Sequence, residues 1–147
     1  KKLIRITKQF KLNYYYYNIK KNSNIIAKYV TLKNLFKISD IISIHASSNI
    51  NSKDLVNKEN LKTAKKDLIL INTSRGDFIN ESDLYYFLKK NPTANACLDV
   101  FKNEPYKGKL IKLNNVIFSP HLSSYSKETR EDMELSSIKT IIKEFKL

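Results

Sequence analysis

The sequence predicts an α/β fold organised on a parallel sheet. Three observations predict it: five short runs of β-branched and aromatic residues, helical stretches spaced between them, and runs that are near-continuously apolar instead of alternating. Continuous runs suit strands buried on both faces, and strands alternating with helices imply right-handed βαβ crossovers.

In chain order, the first ten residues read as the end of a helix, with Leu3, Ile6 and Phe10 on one side. The first strand is expected over Leu12 to Ile19 (LNYYYYNI) and is followed by a weak helix. A second strand is expected over Ile41 to Ala46, then a helix from Lys58 to Lys65 behind Asn57, a good N-cap residue. The third strand spans Leu68 to Ser74. The next helix, Glu81 to Lys89, starts behind Asn80, with Asp83 placed as in a capping box and Leu84, Phe87 and Leu88 on one face. The fourth strand is Ala96 to Val100. A long polar connection from Phe101 to Asn115 holds Pro105 and Gly108, and long connections of this kind are often functional. The fifth strand is Val116 to Pro120. The last helix starts near Ser126, with Ile138, Ile141, Ile142 and Phe145 as its apolar stripe.

The chain's 147 residues suit one domain, 1–147, and no internal repeat or linker divides it. No apolar run approaches the ~20 residues of a membrane span, and the start lacks the features of a secretory leader, so a soluble, cytoplasmic protein without membrane partners is expected. The one cysteine, Cys97, excludes an internal disulfide framework and reads as a small buried hydrophobe. A net charge of +13 admits an anionic partner, but the lysines are scattered along the chain, and no zinc pattern or RNA-binding motif accompanies them. Neither nucleic acid nor a metal is expected as a partner. The tyrosines at 14–17 read as strand packing, not a base-stacking platform.

Ligands of an open parallel sheet bind beyond the carboxyl ends of its strands. Asn18 follows the first predicted strand; His45, Ala46, Ser47 and Ser48 the second; Thr73, Ser74, Arg75 and Gly76 the third; Asp99 and then Glu104 the fourth; His121 the fifth. His121 is a natural proton donor and acceptor near neutral pH, and Glu104 could orient it. Arg75 presents a planar fork for a carboxylate. A carboxylate clamp beside an acid/base histidine suits interconversion of a 2-hydroxy acid and a 2-keto acid, with a cofactor carrying hydride.

The blocks Ser39-Asp40-Ile41-Ile42-Ser43-Ile44-His45, Ile71-Asn72-Thr73-Ser74-Arg75-Gly76, Leu98-Asp99-Val100-Phe101 with Glu104-Pro105, and Ser119-Pro120-His121 resemble the signatures of the D-isomer-specific 2-hydroxyacid dehydrogenases, among them phosphoglycerate dehydrogenases and hydroxypyruvate/glyoxylate reductases. The match spans about residues 35 to 130. The resemblance implies a Rossmann-type doubly wound sheet, incomplete at its N-terminal edge, and hydride transfer between NAD(H) and a small anionic 2-hydroxy or 2-keto acid. It implies Arg75 as the carboxylate and carbonyl binder, His121 as acid/base, Glu104 as its support, Asp99 at the nicotinamide carboxamide, Thr73 and Ser74 along the nicotinamide pocket, and His45 with Ala46 over the adenosine. It also implies a homodimer. Gly76 is expected to permit the turn after Arg75.

The sequence departs from the family pattern in four places. With only two glycines, it has no G-x-G-x-x-G phosphate loop; truncation just after that loop, with the first strand and the substrate domain absent, is the simplest account, and weak cofactor binding without turnover is then expected. Asn18 stands where an Asp usually bonds the adenosine ribose; NAD is the expected cofactor, with room for NADP because Lys20 and Lys21 are near. Ser47 and Ser48 replace Pro-Leu, and Ser123 replaces Gly. Two rival readings stand beside the enzyme: a dinucleotide-sensing corepressor-like protein, and a basic nucleic-acid module, which leaves the four blocks unexplained.

Overall fold

The computed structural model describes residues 2–22, 24–47 and 53–145; Ser48 lies outside them. Four strands, β3 (Ile41–Ile44), β4 (Ile69–Asn72), β5 (Asn95–Leu98) and β6 (Val116–Phe118), form a parallel sheet in the order β3-β4-β5-β6. A separate parallel pair joins β1 (Tyr15–Tyr16) to β2 (Lys28–Tyr29). The helices are α1 (Lys2–Thr7), α2 (Leu32–Ile38), α3 (Lys58–Thr63), α4 (Glu81–Lys90) and α5 (Lys127–Phe145).

The register explains the core. Ile42, Leu70, Ala96 and Val116 lie in one cross-strand row, and all are buried. In the next row on that face Ile44, Asn72 and Leu98 are also buried, while their β6 partner Phe118 is 37% exposed. Phe36 of α2, Leu61 of α3 and Leu84 and Leu88 of α4 pack onto this face in one cluster. Burying each such side chain contributes about 1.5–3 kcal/mol.

Sequence expectation and structure part in several places. The strands are shorter than the apolar runs, most of all the first, which is reduced from LNYYYYNI to two residues because its neighbour β2, absent from the sequence reading, offers only two partners. Burial on both faces is realised on one: Ile69, Ile71 and Cys97 are partly exposed, while Ile41 and Ile117 are 52% and 68% exposed. Cys97 is therefore half-buried, not sequestered. The stripe of α5 and the face of α1 are also exposed, and neither helix has a buried residue.

The predicted caps are present. Asn57 accepts the Asn60 amide at 3.0 Å, and Asn80 accepts the Asp83 amide at 3.1 Å. Asp83 does not close a capping box on its own helix. Its carboxylate accepts the Lys58 amide at 2.8 Å, so one acid placed for α4 caps α3 and ties the two helices.

Candidate active site

Because the strands run parallel, β4, β5 and β6 deliver their following loops to one rim. Arg75 stands three residues past β4, Glu104 six past β5 and His121 three past β6.

Glu104 and His121 meet directly. The imidazole Nδ1 lies 2.9 Å from Glu104 Oε2. A carboxylate only accepts, so Nδ1 carries the hydrogen and Nε2 is left for a ligand. The other oxygen of Glu104 accepts the Phe101 amide at 3.0 Å, closing the Phe101–Glu104 turn. The hydrogen bond from His121, then that from Phe101, holds the Glu104 carboxyl below its ordinary range.

His121 has a left-handed backbone, with φ 56°, which costs a non-glycine residue about 1 kcal/mol. The surroundings hold it there. Its amide donates to the Asp99 carbonyl at 2.9 Å. The Asp99 carboxylate, 4% exposed, accepts the Leu122 amide at 2.8 Å, the Ser123 amide at 2.9 Å and the Ser119 hydroxyl. Burial acts to raise this carboxyl, but hydrogen bonds from Ser119, Leu122 and Ser123 outweigh it and lower it to about 2. Asp99 therefore clamps the loop on both sides of the imidazole. The Ser123 amide supplies one of those bonds, so Ser in place of Gly leaves the loop closed.

The Arg75 turn has its own support. Asn72, fully buried, donates from Nδ2 to the Arg75 carbonyl at 2.9 Å and accepts the Ser74 amide at 3.1 Å. The Ser74 hydroxyl reaches the Ile44 carbonyl at 3.1 Å, joining the ends of β3 and β4. The Arg75 guanidinium is exposed and rests on the Ser74 carbonyl at 2.7 Å. Gly76 is needed for a reason other than the one expected. Neither glycine has positive φ; instead, a Cβ at 76 would sit 2.0 Å from the Phe101 carbonyl carbon. This close approach fixes the Arg75 turn against the segment that carries Glu104.

The remaining predicted residues have fewer hydrogen-bond partners, and Asn18 stands on the separate β1–β2 sheet. His45 Nε2 pairs with the Ser43 hydroxyl at 2.9 Å, and His45, Ala46 and Thr73 are exposed. Asn18, past β1, is exposed and accepts the Ile19 amide at 3.0 Å. The sequence reading missed Asn72 and Ser119 as supports; an amide inside the apolar run LILIN was the available signal for the first. It also missed the charge distribution. The lysines are scattered but the carboxylates are not: no Asp or Glu precedes Asp40, whereas nine lysines and Arg5 do. Among the described residues no group of side chains could hold a metal, and no helix is long and apolar enough to cross a membrane.

For a dinucleotide, the chain offers exposed polar groups after three parallel strands, Asn18 two residues past β1, His45 past β3, and Thr73 with Arg75 past β4. Nothing in the sequence supplies a glycine-rich cradle for the pyrophosphate.

Residues 1–123 match the model of the D-isomer specific 2-hydroxyacid dehydrogenase, NAD binding domain. Glycerate dehydrogenase of Cucumis sativus is 45% identical over 104 residues, covering 70% of this chain and 27% of that protein. Glyoxylate reductase of Thermococcus litoralis is 40% identical over 117 residues, covering 79% of this chain and 35% of that protein. The solved structure of an acyclic imino acid reductase (Bsp5) with NADPH and D-Arg superposes with a TM-score of 0.87 at 34% identity, over 95% of this chain and 45% of that one. The chain thus spans about a third of the length of these curated relatives, or less.

Proposed function

The chain belongs to the D-isomer-specific 2-hydroxyacid dehydrogenase family, through its NAD-binding domain, and from that premise we propose that it serves the reversible reduction of a small 2-keto acid to the D-2-hydroxy acid. The observation that carries this reading is the 2.9 Å Glu104–His121 pair on the rim that also receives Arg75.

In this reading Arg75 pairs with the substrate carboxylate and turns its carbonyl toward His121. In the reducing direction the doubly protonated His121 ring gives its Nε2 proton to the carbonyl oxygen as that oxygen gains charge and is left as the neutral Nδ1–H tautomer; in the oxidative direction that tautomer accepts the hydroxyl proton at Nε2. Glu104 holds the ring in the Nδ1–H tautomer and offsets the charge of the imidazolium. Asp99 acts through the loop it clamps, in addition to the nicotinamide contact that the family resemblance implies. Thr73 and Ser74 would border the nicotinamide, and His45, Ala46 and Asn18 the adenosine. The chemistry a nicotinamide cofactor would supply, when bound there, is hydride transfer at the carbonyl carbon. Glyoxylate and hydroxypyruvate are the substrates suggested by the relatives' names. A cytoplasmic homodimer belongs to the same reading.

The test has two stages. The 147-residue chain is titrated with NADH, and weak binding is expected because no glycine-rich turn is present. Glyoxylate- or hydroxypyruvate-dependent NADH oxidation is then measured on the longest natural product containing this sequence, with His121→Gln expected to lower kcat by about 10²–10⁴-fold. NADH binding with no turnover on any 2-keto acid would instead indicate a dinucleotide sensor. Unchanged turnover in the His121 variant would refute the assigned acid/base role.

A further inference from the structure

We propose that the stack of Phe101, Tyr106 and Phe118 is the brace that sets the Glu104–His121 contact, with Tyr106 as a positioning residue for the acid/base pair. The inference rests on the acid/base reading above and deepens it by naming what holds the two partners together.

Glu104 and His121 come from different loops. Among the described residues, their own contact is the one hydrogen bond that joins residues 101–106 to residues 116–123. The Lys102 amide donates to Glu81 Oε1 at 3.2 Å and the Lys102 ammonium pairs with Asp54 at 2.9 Å, so both tie the Glu104 segment to other parts of the molecule. The bonds to Asp99 fasten the His121 loop to the end of β5 and do not reach Glu104. One hydrogen bond between two exposed side chains is too weak to set the spacing of two loops by itself.

Three rings supply the missing tie. Phe101 and Tyr106 bracket Glu104 in the sequence, and Phe118 stands three residues before His121. Phe101 stacks on Tyr106 with centroids 4.3 Å apart and planes 24° apart. Phe118 lies 5.8 Å from Phe101 and 6.1 Å from Tyr106, with planes 25° and 21° apart. Near-parallel rings at such separations attract one another beyond the apolar area they bury. Tyr106 is also anchored to the core. Its hydroxyl accepts the amide of the fully buried Leu110 at 3.3 Å, and its ring lies so close to Gly108 that a Cβ there would collide with it. Burial raises the phenol, so the brace does not ionise in the range where Glu104 titrates. The stack thus links the core to both loops that supply the pair.

The test reads the pair itself. Glu104 is titrated by carboxyl NMR in the wild-type 147-residue chain and in Tyr106→Leu, Tyr106→Phe and Phe118→Leu, with each fold checked by circular dichroism. The charged groups that act on Glu104 are His121 and Asp99, and the His121 hydrogen bond is the largest cause of its lowering. Loss of a ring at 106 or 118 is therefore expected to move the Glu104 titration up toward its ordinary range. Tyr106→Phe keeps the ring and is expected to hold it low. Leu61→Ala, a core change in α3, is expected to lower stability and leave the Glu104 titration in place. A titration unmoved in folded Tyr106→Leu and Phe118→Leu would overturn the proposal, as would an equal shift in Leu61→Ala or in Tyr106→Phe. If Tyr106→Leu does not fold, Phe118→Leu decides, because that ring is partly exposed. In the longest natural product containing this sequence, Tyr106→Leu is expected to lower kcat about tenfold with KM for NADH little changed; unchanged kcat would also overturn the positioning role. A Glu104 shift in a protein whose turnover ignores His121→Gln would keep the brace and remove the acid/base reading.

Discussion

The sheet β3–β6 with α2, α3 and α4 differs sharply from the flanking pieces, α1 with β1–β2 at one end and α5 at the other. In the first region, aligned rows of Ile, Leu and Ala meet Phe36, Leu61, Leu84 and Leu88, and every fully buried large side chain among the described residues belongs to it or to its connecting loops. In the second, Leu3, Ile6, Phe10, Ile138, Ile141 and Phe145 have helical spacing but remain exposed. Amphipathic spacing is thus a request for a partner surface, not evidence that one has been met. The chemical groups of the rim all stand on the well-packed region, whereas Asn18, Lys20 and Lys21 stand on the other.

The largest effect that would test this contrast is expected from Leu84→Ala, which leaves a cavity in the helix–sheet core and should lower unfolding free energy by about 2–5 kcal/mol in a urea titration. Asp99→Asn should follow. Replacing a buried, triply bonded carboxylate by an amide that cannot accept from all the same donors should cost about 1.5–3 kcal/mol, and should broaden NMR signals of residues 119–123 before those of the core.

The same carboxylate makes stability depend on pH. Its folded pKa of about 2 lies below the ordinary 3.8, so its contribution is present above pH 3.8 and is lost as pH falls toward 2. Acid titration of the wild type and of Asp99→Asn should diverge above that window and converge below it. Parallel curves throughout would mean that Asp99 gives no such stabilisation.

Gly76→Ala is expected to cost about 1–3 kcal/mol by forcing the Arg75 turn away from Phe101, and to weaken the Glu104–His121 contact although neither residue is touched. Glu104 itself should titrate below its ordinary value by carboxyl NMR and shift back toward it in His121→Leu, since the histidine hydrogen bond is the largest cause of its lowering. At the small end, Ile141→Ala and Leu3→Ala should change stability by less than about 0.5 kcal/mol. A loss of several times that would mean these faces are covered in solution.

Much of the fold was legible because it is written in local patterns. β-Branched runs marked β3 to β6, and Asn57 and Asn80 marked helix starts through side chains that reach only a few residues. The rim was legible because a parallel sheet sends all its carboxyl ends to one side, so residues after each run could be grouped without coordinates. The two-residue β2 was not legible, since Lys28–Tyr29 has no run to announce it and exists only through its pairing with β1. Nor was the role of Asp99, whose partners lie 20 to 24 residues away.

Composition and pattern alone therefore carried the α/β class, the order of the chemistry-bearing blocks along the chain and the choice of Arg75, Glu104 and His121 as candidate groups. Only tertiary structure decided that one sheet face carries the core, that Gly76 answers to crowding instead of φ, and that the His121 loop is fastened by Asp99. Spacing along a chain encodes which residues can share a face. Whether that face finds a neighbour, and which hydrogen bonds close across 20 residues or more, depends on contacts that exist only after the strands have aligned.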